Sequence, residues 1–293
     1  MQYQFVTCLS RLVCRLPGGL RERLGNLIGQ LCWPFVPDRR RKIAVDNAMM
    51  ALGLDRMAAE DIVKRSAVRF GRMFMEVLRL PQLSKDNIRQ WVTLQGQEHL
   101  AAALDQGRGV VLITAHSGNW EMLGAALAMY GFPLVAVVQQ QTNQAMDRFI
   151  NEYRTLAGMH VTYKTGVREM VSLLGENKII GLLMDQDARS KGVFTEFFGR
   201  IASTPQGPAA LARLKNAPIV PAFITENPDG THTALIHPAM EMVKTANRDE
   251  DIRAMTELLN RVVEEHIRAH PHEWFWLHNR WKTPPPCTDG KKQ

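Results

Sequence analysis

Runs of apolar residues alternate with amphipathic stretches through the middle of the chain. Four short runs rich in β-branched residues have the length of buried strands, at 110–115, 133–138, 179–184 and 218–224. Helical spacing of apolar residues fills the other segments of this region, at 119–130, 142–157, 166–176 and 205–215. Strands that alternate with helices predict an α/β fold with a mostly parallel central sheet flanked by helices.

Further elements are predicted on both sides of this α/β region. Residues 40–80 predict helices interrupted near Gly53, where Asp55 can cap a second helix that ends before Pro81. Residues 231–237 predict an antiparallel strand, and residues 250–268 predict a long amphipathic helix. We divide the chain into three parts: an N-terminal region at 1–36, a main domain at 37–286 and a polar tail at 287–293. The main domain consists of a helical lead-in at 40–105 and an α/β core at 106–286.

The N-terminal region has two sets of apolar residues at helical spacing, separated by Pro17–Gly19. They are Phe5, Leu9, Leu12, Val13 and Leu16, then Leu20, Leu24, Leu27, Ile28 and Leu31. No run of 18 uncharged apolar residues is present, so no apolar stretch here is long enough to cross about 30 Å of hydrocarbon. The sequence of this region also lacks the pattern of a signal peptide. We predict helices that lie in a membrane interface, the alternative being amphipathic helices packed on the domain's own core.

Positive charge is concentrated at the same end of the chain. The formal net charge is +7, and residues 1–42 carry +6 of it, from eight Lys or Arg against Glu22 and Asp38. A basic arm could also bind nucleic acid, but the apolar residues between the charges favour a membrane surface. We therefore expect a membrane surface as partner through residues 1–42 and no nucleic acid.

The four cysteines do not suggest disulfides or a metal site. Cys8, Cys14, Cys32 and Cys287 show no CxxC spacing, and free thiols in a reducing compartment are the simplest interpretation.

The strand at 110–115 leads into a turn that carries the main candidate for chemistry. His116 stands at the strand's end, and Glu121 falls in the first turn of the next helix. Between them, Ser117, Gly118 and Asn119 supply turn and capping residues and are the candidate donors to an oxyanion. Because His116 lies outside that helix, the turn can fold the imidazole ring of His116 over the carboxylate of Glu121. Such a contact would fix the tautomer of the imidazole and make its other ring nitrogen a general base. The alternative is a capping histidine and a glutamate that favours the helix dipole.

Polar residues also follow the strand at 179–184. Asp185, Gln186 and Asp187 can hold a sugar hydroxyl or orient a loop, or their carboxylates can accept backbone N–H groups in a tight turn. Nothing else at ligand spacing supports a metal there. Nearby cations could pair with a phosphate, and Arg154 and Arg189 are the favoured ones.

The segment Ser203–Gly207 precedes a predicted helix, with Thr204 as its N-cap and Pro205 as its first residue. Ser203, Thr204 and Gly207 could therefore present free backbone N–H groups to a phosphate or an oxyanion, or could simply cap the helix. Towards the C-terminus, His266 and His270 have zinc-like spacing but not the H-E-x-x-H pattern. We predict no metal and no cofactor.

Three motifs occur in order along the chain, Ala115–Glu121, Asp185–Asp187 with Gly192–Phe194, and Trp276–Thr283. Together they resemble the late, lauroyl/myristoyl acyltransferases of lipid A biosynthesis in Gram-negative bacteria. That family lies within the lysophospholipid and glycerol-phosphate acyltransferases, which share a His-x4-Asp/Glu pair. The resemblance covers about residues 40 to 285. The Glu of the superfamily's Glu-Gly-Thr phosphate motif is absent at 203–207.

The resemblance implies an O-acyltransferase bound to the cytoplasmic face of the inner membrane. A His116–Glu121 dyad would move an acyl chain from acyl carrier protein to a hydroxyl of a lipid A precursor. The C-terminal tryptophans would pack on the core or line an acyl groove, and Arg280 would reach a polar head group. Alternatives are another acceptor, such as a phosphatidylinositol mannoside or an ornithine lipid, with acyl-CoA as donor, and a non-catalytic membrane-associated relative.

Overall fold

A computed structural model describes residues 2–286, and the polar tail predicted at 287–293 lies outside the described residues. The helices are α1 (Gln2–Arg15), α2 (Gly18–Cys32), α3 (Asp38–Leu52), α4 (Arg56–Arg79), α5 (Gln97–Leu104), α6 (Trp120–Met129), α7 (Gln144–Leu156), α8 (Val167–Gly175), α9 (Gly207–Lys215) and α10 (Arg248–Ala269). The strands are β1 (Val92–Gln95), β2 (Val110–Thr114), β3 (Leu134–Val138), β4 (His160–Tyr163), β5 (Ile179–Leu183), β6 (Val193–Phe197), β7 (Arg200–Thr204), β8 (Ile219–Glu226) and β9 (His232–Ile236).

Seven strands form one sheet in the order β1-β9-β8-β2-β5-β3-β4. Every neighbouring pair in it is parallel except β8 and β9. The predicted α/β class with a mostly parallel sheet is therefore confirmed, as are the antiparallel strand β9 and the Asp55 cap, which accepts from the N–H of Ala58. Strands β1 and β4 were not predicted because each is only four residues long and half exposed.

The sheet is covered on both faces, and alternate residues of each strand enter different cores. Val111 and Ile113 of β2 belong to the core on one face, whereas Val110 and Leu112 belong to the other. Successive side chains of a strand point to opposite faces, so a strand buried on both sides reads as an unbroken apolar run. All five residues of β2 are buried, which places its C-terminal end deep in the molecule.

The hairpin β6–β7 corrects the predicted start of helix α9. Ser203 and Thr204 end strand β7, and the helix begins at Gly207 with no side-chain cap. The hairpin turn uses positive φ at Phe198 and Gly199, a signal typical of two-residue turns. Thr204 therefore does not cap a helix; its hydroxyl accepts a hydrogen bond from Arg280.

Helices α1 and α2 pack on the rest of the chain by one face. The backbones of α2 and α4 approach closely, because a Cβ at Gly29 would lie 2.1 Å from the carbonyl oxygen of Val68. Their other face leaves large apolar side chains exposed, with Phe5 69% and Leu31 60% exposed, and Phe35, just after the end of α2, is 85% exposed. Within the described residues, no helix has the length and apolar character needed to cross a bilayer.

Candidate active site

The ends of β2 and β5 bring two predicted site residues together. These strands are parallel neighbours in which Thr114 pairs with Leu183, so the residues two positions further on, His116 and Asp185, leave the same edge of the sheet side by side. His116 Nδ1 lies 2.8 Å from Asp185 Oδ1, and the backbone N–H of His116 donates to Asp185 Oδ2 at 3.0 Å.

This contact corrects the expected His116–Glu121 pair. Glu121 instead forms a two-point ion pair with Arg154, at 2.9 Å between Nε and Oε2 and 2.5 Å between Nη2 and Oε1. The acid that follows a histidine by five positions therefore binds a cation from α7. The acid that binds the histidine lies 69 residues away in the sequence.

Asp185 is held ionised by its surroundings. Its side chain is only 2% exposed, and Trp274 Nε1 donates to Oδ2 at 2.8 Å beside the two contacts from His116. Burial pushes the pKa of Asp185 upward, but the adjacent His116 and these hydrogen bonds outweigh it and bring the pKa to about 2. An ionised carboxylate can only accept, so Nδ1 of His116 carries a proton, and in the neutral ring the free lone pair is on Nε2.

The turn between His116 and α6 is fixed from several distant parts of the chain. Ser117 Oγ lies 3.0 Å from His266 Nε2, and the N–H of Gly118 donates to the carbonyl of Glu273 at 3.1 Å. Asn119 caps α6 by accepting from the N–H of Met122 and donates to Glu76 Oε2 at 2.6 Å. The N–H of Gly118, predicted as an oxyanion donor, is therefore already bonded within the protein.

A side chain at position 118 would disrupt this turn, so the turn requires Gly118. Its φ is +63°, and a Cβ there would lie 1.9 Å from the carbonyl oxygen of Ile224. The absence of a side chain lets the backbone of Gly118 pack directly against strand β8. His116 itself is 22% exposed, and its ring packs edge-on against Trp120 with centroids 5.0 Å apart.

A narrow cavity opens beside this turn, between α6 and the sheet. Its volume is about 60 Å³, and aliphatic residues dominate its lining, among them Leu112, Leu127, Leu134 and Met159. Its polar residues include Glu121 and Arg154. The ion pair thus stands where an apolar cavity meets the candidate catalytic turn.

Other predicted site residues serve the framework. Arg280 is fully enclosed and donates to the Ser203 carbonyl at 2.7 Å and to Thr204 Oγ1 at 2.6 Å, so it cannot reach a polar head group. Asp187 accepts from Thr283 at 2.9 Å, and its N–H donates to His278 at 3.0 Å. Both contacts tie the C-terminal segment to the loop after β5.

The remaining predicted residues lie at or near the surface. Arg189 is exposed and Gln186 half-buried, and the carbonyl of Arg189 accepts from the Ser203 hydroxyl. Gly207 is exposed at the first turn of α9.

Several residues that hold the site were not predicted from the sequence. Trp274 was expected to pack on the core or to line an acyl groove, and Glu76 and Glu273 were not assigned to the site at all. A buried ion pair joins Arg69 of α4 to Glu273 at 3.4 Å. Arg69 and Glu76 lie seven positions apart on one face of α4, among buried apolar residues of that helix, and this spacing was the available signal.

Several known proteins are similar to this chain. A phosphatidylinositol mannoside acyltransferase of Mycolicibacterium smegmatis is 29% identical over 227 residues, which cover 76% of this chain and 73% of the relative. The lipid A biosynthesis palmitoleoyltransferase of Escherichia coli is 27% identical over 268 residues, 89% of this chain and 85% of the relative. The solved structure of a 1-acyl-sn-glycerophosphate acyltransferase from Thermotoga maritima has a TM-score of 0.40 at 12% identity, covering 86% of this chain and 98% of that one.

A family model described as bacterial lipid A biosynthesis acyltransferase matches residues 2–283. That span includes both strands that carry the candidate dyad and the C-terminal segment that braces it. The chain therefore belongs to the bacterial lipid A biosynthesis acyltransferase family, and it is an acyltransferase.

Proposed function

We propose that this enzyme transfers a fatty acyl chain from acyl carrier protein to a hydroxyl group of a lipid A precursor, with His116 as general base and Asp185 as its partner. The observation that carries the proposal is the His116–Asp185 contact of 2.8 Å at the carboxyl edge of a parallel sheet. Membership of the family and the adjacent apolar cavity support it.

In the proposed reaction, Nε2 of His116 takes the proton from the acceptor hydroxyl. The hydroxyl oxygen then attacks the thioester carbonyl, the carbon–sulfur bond breaks, and the imidazolium returns its proton to the leaving thiolate. Asp185 keeps the ring in the required tautomer and stabilises the imidazolium while it exists. The sequence of steps needs no covalent acyl-enzyme and no cofactor.

The cavity between α6 and the sheet is the proposed site of the acyl chain. A saturated chain would replace water along an aliphatic wall, and each buried methylene contributes about 0.8 kcal/mol. We propose that Glu121 and Arg154 lie beside the thioester at the polar end of this cavity, with Glu121 orienting Arg154 and not His116.

A second acceptor class is favoured by one comparison. Relatives named phosphatidylinositol mannoside acyltransferases are 28–29% identical to this chain, against 23–27% for relatives named lipid A acyltransferases. The alternative function is therefore transfer to such a glycolipid, with acyl carrier protein or acyl-CoA as donor. Purified enzyme offered both donors against both acceptors, with products identified by mass spectrometry, distinguishes the two.

We propose that the enzyme works at the cytoplasmic face of the inner membrane. The exposed apolar residues of α1 and α2, together with the basic residues of positions 1–42, support this location.

The dyad is tested with His116→Ala and Asp185→Asn. We expect His116→Ala to lower kcat by about 10²–10⁴-fold, because it removes the general base, and Asp185→Asn to lower it comparably by favouring the wrong tautomer. His160→Ala is the control, since the Nε2 of His160 pairs with Glu169 at 3.0 Å on the protein surface, and we expect it to keep full activity. Turnover at the wild-type rate in a folded His116→Ala enzyme would refute the proposed mechanism.

A further inference from the structure

An arginine at the C-terminal end of α4 is buried without an anionic partner. Arg79 is 7% exposed, and its guanidinium carbon lies 3.6 Å from the ring centroid of Trp91. Within residues 2–286, no oxygen accepts a hydrogen bond from this guanidinium and no carboxylate forms an ion pair with it. Loss of hydration and the nearby charge of Arg21 lower the pKa of Arg79 to about 10, against the opposing effect of the Glu76 carboxylate.

Arg21, on α2, is the second cation of this corner. Its Nη1 donates to the carbonyl of Leu16 at 2.9 Å and to Gln82 Oε1 at 3.3 Å, and Gln82 follows Arg79 by three positions. In the part of the chain that the structure describes, its Nη2 and Nε have no acceptor and no acid pairs with it. Arg21 and Arg79 therefore lie at the same corner, where the turn between α1 and α2 reaches the end of α4.

Glu76, which precedes Arg79 by one helical turn, brings a negative charge near both cations but forms its close contacts elsewhere. The carboxylate of Glu76 accepts from Asn119 at 2.6 Å and lies 3.4 Å from His232 on its other side. Cations that are partly desolvated and have no carboxylate in direct contact destabilise a fold. A guanidinium fork with free donors is also the group that matches a phosphate bidentately, so a bound anion would remove the cost.

We propose that Arg21 and Arg79 form a binding site for a phosphate group at this corner. Trp91 covers one face of the Arg79 guanidinium, and the fork donates to the phosphate oxygens while Arg21 adds the second charge. The exposed apolar residues Leu12 and Leu20 lie on the two helices that this corner joins, at 56% and 42% exposure. The phosphate could belong to a lipid head group or be free in solution, and the site does not depend on the proposed acyl transfer.

Thermal unfolding of the full chain with and without inorganic phosphate tests the site. Arg79→Leu removes the buried cation, and Arg89→Leu is the matched control because Arg89 is an exposed arginine stacked over Tyr130 at 4.3 Å. We expect phosphate to raise the Tm of the wild type and of Arg89→Leu by a few degrees more than that of Arg79→Leu. Without phosphate, Arg79→Leu should unfold at the same temperature or higher, because an unpaired buried charge is gone.

Vesicle binding separates the two sources of phosphate. If the ligand is a lipid head group, Arg79→Leu should bind phosphatidic acid vesicles several-fold more weakly than Arg89→Leu, with no difference on phosphatidylcholine. A difference between the variants with inorganic phosphate alone would assign the site to free phosphate. An equal phosphate response in all three proteins, with a lower Tm for Arg79→Leu, would overturn the proposal and leave Arg79 a structural partner of Trp91.

Discussion

Asp185 shows how a single residue's role depends on its neighbours. Its carboxylate is enclosed, yet it stays ionised because three N–H groups point at it, two from His116 and one from Trp274. From the sequence, Asp185 was placed at the correct edge of the sheet, but it was predicted to bind substrate, to orient a loop or to accept backbone N–H groups. Only the pairing of β2 with β5 shows that its oxygen lies against the imidazole.

His266 is a residue whose burial makes the whole fold sensitive to acid. It stacks on Phe223 with ring centroids 4.2 Å apart and contacts Ser117 beneath the turn. Burial, and then the charges of His270 and His237, lower the pKa of His266 from 6.5 to about 3. The unfolded chain therefore takes up a proton below pH 6.5 that the folded protein does not accept until about pH 3.

We therefore expect the free energy of unfolding to fall as the pH drops below 6.5, with this group contributing up to about 1.4 kcal/mol per pH unit. Above pH 6.5, His266 is neutral in the folded and the unfolded protein, so it no longer changes the free energy of unfolding with pH. Chemical denaturation of wild type and His266→Gln between pH 7.5 and 4.5 measures it, and the variant should show the flatter dependence. His160→Gln, at an exposed histidine, should follow the wild type. Parallel curves for all three proteins would contradict the assignment.

At the scale of elements, the unit that forms the site is β2, the turn and α6. Local sequence specifies each part, since the apolar run predicts the strand and Asn119 caps the helix. The conformation of the turn, however, is held by α4, α10, β8 and the C-terminal segment, through Glu76, His266, Ile224 and Glu273. The strand and the helix could therefore be predicted, whereas the groups that fix the turn could not.

The cavity beneath α6 leads to a prediction about acyl chain length. Gly124 lines it, and a Cβ at this position would lie 2.8 Å from the sulfur of Met159. Gly124→Leu should occupy the cavity and exclude long chains, with each lost methylene contact worth about 0.8 kcal/mol, or roughly fourfold in kcat/KM.

Competition between thioester donors of different chain length measures the effect. We expect Gly124→Leu to lose activity with long chains and to keep most of it with a short-chain donor, which serves as the internal control. An equal loss at every chain length would place the acyl chain elsewhere.

At the scale of the whole molecule, the N-terminal helices pack on the core by one face and expose apolar residues on the other. Leu9, Leu16, Leu24 and Ile28 pack against the core that also holds α6. The opposite faces of the same helices expose large apolar residues beside most of the chain's positive charge. The two interpretations of this region, packing on the domain and contact with a membrane, therefore use different faces.

A double substitution of exposed residues tests the membrane contact. Leu31→Glu with Phe35→Glu should weaken binding to anionic vesicles at least tenfold, because inserting such side chains contributes about 1.5–3 kcal/mol each. The Tm should hardly change, since both side chains are exposed. Met57→Glu is the control, as Met57 is 79% exposed on α4 and should leave vesicle binding unchanged. Undiminished binding by the double variant would exclude this face.

The sequence by itself determined the α/β class, the position of most strands and helices, and the turn that carries His116. These follow from the periodicity of apolar residues and from capping and turn residues, which act over a few positions. The tertiary structure alone decided that Asp185 holds His116, that Glu121 binds Arg154, and that Arg280 is enclosed. Strand order and register determine those contacts, and they join residues that are distant in the sequence and leave no local pattern.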